Sequence, residues 1–106
     1  MRFDLTRPCA QCPFRNDRPG YLHPKRVEEI TDALFNDQTF QCHKTINKGD
    51  AQHCAGATIF LEVNERPNQM MRIMERLGAY DRNALDTASP VFTDADDMIE
   101  HQRRAR

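Results

Sequence analysis

The stretch Pro8-Cys9-Ala10-Gln11-Cys12-Pro13-Phe14-Arg15 decides how the chain folds, because it sets two cysteines in a segment that cannot be regular. Its two prolines exclude a long helix and a central strand. A loop of this kind needs support from elsewhere in the chain. The only other cysteines are Cys42 and Cys54, and we expect all four to hold the loop together.

The spacing of the four cysteines favours a single metal site. Cys9 and Cys12 form a C-x2-C pair, 29 residues separate Cys12 from Cys42, and 11 separate Cys42 from Cys54. Four thiolates are a complete ligand set for a structural zinc ion or for a [4Fe–4S] cluster. We therefore predict that Cys9, Cys12, Cys42 and Cys54 bind one Zn2+ or one [4Fe–4S] cluster, with zinc slightly favoured. The alternative is four buried free cysteines, which pack as small apolar side chains.

The spacing leaves the identity of the metal open. Zinc sites usually combine two short pairs of ligands, and here only one pair is short. The Cys12-Pro13 step resembles the cysteine–proline step of iron–sulfur ligand runs. Two histidines next to cysteines, His43 and His53, could replace a thiolate in a zinc site or donate a hydrogen bond to one.

The cysteine-bearing part of the chain is basic, although the whole chain has a net charge of -1. Residues 1–26 contain six Lys or Arg residues against two Asp residues. Arg7, Arg15, Arg18 and Lys44 are predicted to form a basic rim that binds a nucleic acid or a host protein. The alternative is that these cations only neutralise or solvate a thiolate-rich site. The negative net charge and the sparse aromatic residues favour that alternative.

Three catalytic interpretations of the C-x2-C pair are excluded by its surroundings. A zinc deaminase needs an H-x-E sequence, which occurs nowhere in the chain. A thioredoxin-like motif needs a preceding strand and a following helix, and c-type haem attachment needs a histidine where Pro13 stands. A small metalloenzyme with His43 as acid or base, beside an open metal position, stays as a further hypothesis. On balance we expect a protein without catalytic activity.

Hydropathy favours a cytoplasmic protein. Met1-Arg2-Phe3-Asp4 leads into no apolar run of the kind found in a signal peptide. No segment approaches the roughly 20 apolar residues of a membrane span. Disulfides are rare in the cytosol, so metal binding is favoured over a disulfide framework.

Helical periodicity predicts a single, mainly α-helical domain over residues 1–106, stapled by the four-cysteine site. Long irregular segments are expected, and the pattern allows one short β-hairpin among them. The N-terminal cysteine loop is predicted to occupy residues 1–22. Pro24 fits the first turn of a helix. The stripe of Met70, Met71 and Met74 is assigned to the core and not to an interaction groove. Helices are predicted at about 24–36, 51–63, 67–77 and 94–103, with Cys54 on the first turn of the second.

The motifs together resemble a small family of uncharacterised four-cysteine proteins from bacteriophages and actinobacteria. The resemblance covers roughly residues 6–100 and implies no particular activity. It implies that the four cysteines act together, with His43, Gly56 and Arg72 as further residues of the site. Arg15, in the cysteine loop, is a further candidate for contact with the ligands. A phage origin would imply a small accessory protein in the host cytoplasm. The motifs that carry the resemblance are Cys9-x-x-Cys12-Pro13-Phe14-Arg15, Phe40-x-Cys42-His43-Lys44-Thr45, Cys54-Ala55-Gly56, Asn68-x-x-x-Arg72 and the segment 91–98.

Overall fold

Four α-helices organise the chain, of which a computed structural model describes residues 2–9, 12–20, 22–42 and 51–104. They are α1 (Pro24–Phe35), α2 (Ala55–Val63), α3 (Gln69–Arg76) and α4 (Ala95–Arg104), and a 3₁₀ turn (Arg82–Ala84) precedes α4. Within the described ranges, backbone pairing between extended segments is limited to isolated bridges. The predicted mainly α-helical fold is therefore confirmed.

The central element is α2. Its residues from Ala55 to Leu61 are all buried, and a helix that is apolar on every side is one enclosed by the rest of the chain. The ring of Phe60 contacts the rings of Phe14 and Phe35, with centroids 5.5 and 5.6 Å away. Full burial of one such side chain contributes about 2 kcal/mol. The cysteine loop and α1 are thus both anchored on α2 through Phe60.

The start of α2 differs from the prediction, which placed it at residue 51. Residues 51–54 are extended, because their backbone pairs with two other segments. On one side the Arg2 amide donates to the Ala51 carbonyl, at 3.1 Å. On the other side the Cys54 amide donates to the Phe40 carbonyl, at 2.7 Å. These long-range hydrogen bonds outweigh local helix propensity. The described residues form one antiparallel bridge here, between Gln41 and His53, and the connection that the expected hairpin would need lies outside the described residues.

The first helix, α1, begins at Pro24 and ends at Phe35, one residue before the predicted end. Its N-cap is His23, whose Nδ1 accepts a hydrogen bond from the Lys25 amide at 3.1 Å. The backbone then leaves the helix through Asp37, which has a left-handed conformation with φ of 69°. The buried face consists of Val27, Ile30, Thr31 and Leu34.

The third helix, α3, begins at Gln69, two residues after the predicted start. The Asn68 side chain caps it by accepting a hydrogen bond from the Met71 amide at 2.8 Å. The carboxylate of Asp37, beyond the end of α1, accepts a second bond from the Gln69 amide at 2.6 Å. These two acceptors satisfy amides that have no partner inside the helix, so the helix starts where they lie.

The assignment of Met70, Met71 and Met74 to the core is confirmed for Met71 and wrong for Met70, whereas Met74 is partly buried and packs against the core. Met71 is fully buried, but Met70, Ile73 and Leu77 are 40%, 47% and 73% exposed. The rest of the chain covers the side of this short helix that carries Met71 and Met74, and it leaves the side with Met70, Ile73 and Leu77 exposed. Periodicity identifies an apolar face, and it does not show how much of that face the remaining chain can reach.

The last helix, α4, packs against α1 and closes the fold over the cysteine-bearing end of the chain. Its buried residues are Met98 and Gln102. The Gln102 Oε1 atom accepts a hydrogen bond from the Leu22 amide at 3.0 Å, which ties α4 to the segment before α1. Among the described residues, the helices all lack the length and apolar character that crossing a membrane requires.

Candidate metal centre

Two cysteine sulfurs meet at the N-terminus of α2. Cys54 is the residue before the helix, with an extended backbone conformation. Its Sγ atom lies 3.5 Å from the Sγ atom of Cys12, which is 42 positions away in the sequence. Both side chains are buried, with 4% and 3% of their surface exposed. The tertiary fold therefore brings one cysteine of the opening loop into direct contact with the last cysteine of the chain.

The absence of a side chain at Gly56 makes this contact possible. A Cβ atom at Gly56 would lie 2.5 Å from the Cys12 Sγ atom and 2.8 Å from the Phe14 Cβ atom. Neither separation is sterically allowed, so only glycine lets the loop lie against the first turn of α2. Gly56 was predicted to belong to the site, and this is its role in the structure.

Backbone hydrogen bonds hold Cys12 within the loop. The Cys12 amide donates to the Cys9 carbonyl at 3.2 Å, and the Arg15 amide donates to the Cys12 carbonyl at 3.1 Å. Beyond them, the Phe92 amide donates to the Phe14 carbonyl at 2.9 Å. Cys12 is thus held by a hydrogen bond to the preceding Cys9 and by the hydrogen bonds of Arg15 and Phe14 that follow it.

The electrostatic environment distinguishes the two touching sulfurs. The hydrogen bond from Cys54 lowers the pKa of Cys12, against the opposing effect of burial. The amides of Phe14 and Gly56 and the charge of Arg15 lower the pKa of Cys12 further. The same contact with Cys12, followed by burial, raises the pKa of Cys54 well above its usual value. Cys12 is therefore the sulfur of the pair that loses its proton more readily.

Cys42 is the third buried cysteine, with 5% of its surface exposed. Its amide donates to the Gln52 carbonyl at 2.8 Å, within the antiparallel pairing that includes Gln41 and His53. Side chains alternate between the two faces of extended backbone, so Cys42 and Cys54 belong to one face and His53 belongs to the other. The pairing of these two segments therefore places Cys42 and Cys54 on the same side.

Cys9 is half-buried at the edge of the loop. Its carbonyl accepts a hydrogen bond from the Arg15 guanidinium at 3.4 Å. The same guanidinium makes two hydrogen bonds to the carboxylate of Asp17, at 2.8 and 2.7 Å. Arg15 therefore stiffens the loop between Cys9 and Asp17 and places a positive charge beside the cysteines.

The predicted metal site is only half assembled in the described part of the chain. There, no three Cys, His, Asp or Glu side chains stand close enough together to hold an ion. The Cys12 and Cys54 sulfurs by themselves fit a shared zinc ion. Two thiolates bound to one tetrahedral zinc at 2.3 Å lie about 3.8 Å apart, close to the observed 3.5 Å. Cys9 and Cys42 flank this pair on the loop and on the paired segment.

His53 bonds to a threonine and not to a cysteine sulfur. The Thr58 hydroxyl donates to the Cys54 carbonyl at 2.9 Å, so it accepts from the His53 Nδ1 atom, 2.7 Å away. The ring stacks on Phe3, with centroids 4.9 Å apart. Burial lowers the pKa of His53 to about 4. Its Nε2 atom is buried without a hydrogen-bond partner in the described residues.

Arg72 lies at the opposite end of α2 from the cysteines. It makes two hydrogen bonds to the Glu62 carboxylate, at 2.6 and 3.3 Å, and the Tyr80 hydroxyl donates to the same carboxylate at 2.8 Å. Glu62 follows Cys54 by eight residues, about 12 Å along the helix. Sequence reasoning missed Glu62, Tyr80 and Thr58, because no local motif marks a polar side chain as the partner of a distant residue.

The predicted basic rim is partly neutralised by aspartates. Arg7 pairs with Asp86 at 2.9 Å, as Arg15 pairs with Asp17. Arg7 and Arg15 line one cleft of about 470 Å³, together with Asp86 and Ser89. Arg18 is exposed, and its carbonyl contacts His101. His43 and Lys44, the other predicted residues of the site and the rim, lie outside the described residues.

Comparison with known proteins identifies a family without an assigned activity. A model described as a family of unknown function (DUF6283) matches residues 4–106. No curated protein and no solved structure matches the chain.

Proposed function

The chain belongs to this family of unknown function, and we propose that it is a metal-binding protein whose four cysteines hold one metal ion. The observation that carries the proposal is the contact between the Cys12 and Cys54 sulfurs, 3.5 Å apart in a buried position. Cys9 and Cys42 complete the ligand set, because each lies on a segment that is hydrogen-bonded next to one member of the pair. Metal binding draws these two sulfurs towards the other two.

Zinc is the metal that suits the cysteine pair best. In a [4Fe–4S] cluster each cysteine binds a different iron atom, so the ligand sulfurs are farther apart than two that share one ion. The 3.5 Å separation supports a shared ion. The redox or sensing [4Fe–4S] protein is the second candidate, supported by the Cys12-Pro13 step of the sequence.

The metal has a structural role in this proposal. A bound ion neutralises thiolate charge and cross-links the loop to α2, and its binding free energy adds to the free energy of unfolding. Residues around the cysteine pair position the Cys12 sulfur and stabilise its charge. Gly56 admits the Cys12 sulfur, the amides of Phe14 and Gly56 stabilise its charge, and Arg15 supplies a nearby cation.

The loop that the metal organises is proposed to bind a nucleic acid. Arg7 and Arg15 line one cleft beside the cysteines, which would bring two guanidinium groups to a phosphate. Asp86 and Asp17 compete for these cations, so the binding is weak and strongly dependent on salt. A host protein is the alternative partner, and a titration with DNA and RNA at low salt separates the two. No binding at low salt would exclude the nucleic acid.

The proposed setting is the cytoplasm of a host cell. The resemblance of the cysteine motifs to bacteriophage and actinobacterial four-cysteine proteins supports this setting, as does the chemistry of four reduced thiols. A catalytic version needs an open metal position beside His43, so a metal bound by all four cysteines would exclude it.

Metal analysis of protein purified without oxygen tests the central proposal. We expect a colourless protein with one zinc ion per chain, and zinc-free protein from the Cys12→Ser and Cys54→Ser variants. A brown protein with absorbance near about 400 nm would establish an iron–sulfur cluster instead. Protein that retains no metal and cannot be reconstituted would overturn the proposal.

A further inference from the structure

We propose that Cys12 and Cys54 are a specific oxidation site, at which hydrogen peroxide converts the two sulfurs to a disulfide that replaces the metal as the link between the loop and α2. The disulfide rests on the observed sulfur contact. Its coupling to metal release rests on the proposed function.

Geometry selects this pair of cysteines. The sulfurs are 3.5 Å apart, so bond formation needs an approach of only about 1.5 Å, since a disulfide bond is about 2.0 Å long. Cys54 immediately precedes α2, Gly56 lies in its first turn, and the backbone hydrogen bonds of Cys12 hold its sulfur against them. Little of the surrounding backbone has to move.

The sequence by itself would favour a different disulfide. Cys9 and Cys12 form a C-x2-C pair, and such pairs readily close on themselves. In the structure the Cys12 sulfur lies against α2 and contacts Cys54 instead. Cys9 stands at the half-buried edge of the loop. The identity of the oxidised pair therefore separates a bond set by the tertiary contact from one set by proximity in sequence.

The reaction balances with hydrogen peroxide as the oxidant. One sulfur attacks the peroxide, the O–O bond breaks, and a sulfenic acid and one water form. The second sulfur then attacks the sulfenic sulfur, the S–O bond breaks, and a second water leaves with the disulfide formed. The two sulfurs lose two electrons in total, and the peroxide gains them. A thiol reductant reverses the change by thiol–disulfide exchange.

Burial restricts the oxidant to a small molecule. With 3% and 4% of their surfaces exposed, Cys12 and Cys54 do not meet a bulky disulfide such as oxidised glutathione. Access controls the rate of thiol–disulfide exchange. We expect hydrogen peroxide to form the Cys12–Cys54 bond faster than an equal concentration of oxidised glutathione does.

Peptide mapping of the full chain as purified is the test. The protein is treated with hydrogen peroxide, free thiols are alkylated, and trypsin digestion is followed by mass spectrometry without reduction. Cleavage after Arg15 and Lys48 puts Cys9 and Cys12 on one peptide and Cys54 on another. A Cys12–Cys54 bond joins these two peptides, whereas a Cys9–Cys12 bond leaves them separate.

The expected product is the joined pair with Cys9 alkylated. Cys9→Ser should still form it, and Cys12→Ser should lose it. A dominant Cys9–Cys12 product, a bond to Cys42, or no disulfide at all would overturn the inference. The mapping needs no metal, so it gives an answer even if the purified protein contains none.

Metal release measured in the same reaction separates the two proposals. A coloured chelator should report one equivalent of zinc set free as the disulfide forms, with rebinding after reduction. If zinc is bound and released while the disulfide is absent, the oxidation site is wrong and the metal site stands. If the disulfide forms in a protein that never binds metal, the metal site is wrong and the oxidation site stands.

Discussion

The Cys12 sulfur occupies the space that a side chain at Gly56 would fill, since a Cβ atom there would lie 2.5 Å from Cys12 Sγ. Cys54 Sγ contacts the same sulfur at 3.5 Å. The packing of the loop on α2, the electrostatics of Cys12 and the proposed metal site all depend on this one close approach.

Gly56→Ala should destabilise the protein by about 1–3 kcal/mol, because the added methyl group overlaps Cys12 Sγ and Phe14 Cβ. The same displacement should weaken metal binding. Chemical denaturation and a competitive zinc titration measure the two effects. Gly78→Ala is the matched control. Gly78 has φ of 75° and open space around it, so we expect a cost of about 1 kcal/mol without any change in zinc affinity.

Cys42→Ser and Cys54→Ser should each lose the metal and lower the free energy of unfolding by about 4 kcal/mol or more, because metal binding free energy is part of folding free energy. Thermal melting and metal content give the readout, with chelator-treated wild-type protein as the control. Wild-type melting of both variants would show that the cysteines act independently.

Met71→Ala should destabilise the protein by about 2–5 kcal/mol, because the side chain is fully buried. Met70→Ala, at the next position of α3, should cost less than about 1 kcal/mol, because Met70 is 40% exposed. Denaturant midpoints of the two variants make the comparison. Equal losses would show that the whole apolar stripe of α3 is buried.

Tyr80→Phe should cost about 1.5 kcal/mol, because it removes a hydrogen bond to the Glu62 carboxylate. The Arg72–Glu62 pair stays in place, so the carboxylate keeps a partner. Metal content should not change, because the cysteines lie at the far end of α2 from Glu62. Loss of metal from this variant would contradict the separation of the two sites.

Stability should fall as the pH drops from about 6.5 to about 4, because burial lowers the pKa of His53 to about 4 from the ordinary histidine value of 6.5. Between these values the unfolded chain binds a proton that the folded protein excludes. The full effect of His53 is about 3 kcal/mol, present above pH 6.5 and lost by pH 4.

The measurement for His53 is the difference between wild type and His53→Gln in the free energy of unfolding across this pH range. Both proteins are studied with a chelator, so metal release does not contribute. The other titrating groups are common to both proteins and cancel. A difference independent of pH would show that His53 titrates alike in the folded and unfolded chain.

Helix content was predictable because the information for it is local. Pro24, with apolar residues every three or four positions after it, indicates a helix that the structure begins at that residue. Residues 51–53 follow a different rule. They favour a helix locally, but backbone hydrogen bonds to the segments that contain Arg2 and Phe40 hold them extended. A partner that is distant in sequence leaves no trace in the local pattern.

The four cysteines, the irregular loop and the mainly α-helical class were determined by the sequence alone, since prolines, residue spacing and apolar periodicity act over a few neighbouring positions. The tertiary structure decided which sulfurs meet. In the structure the Cys12 and Cys54 sulfurs are 3.5 Å apart, Cys9 lies half-buried at the edge of the loop, and Arg72 binds Glu62. The contact between Cys12 and Cys54 arises because the cysteine loop packs on α2, whose first turn carries Gly56. Only packing brings residues 42 positions apart into contact.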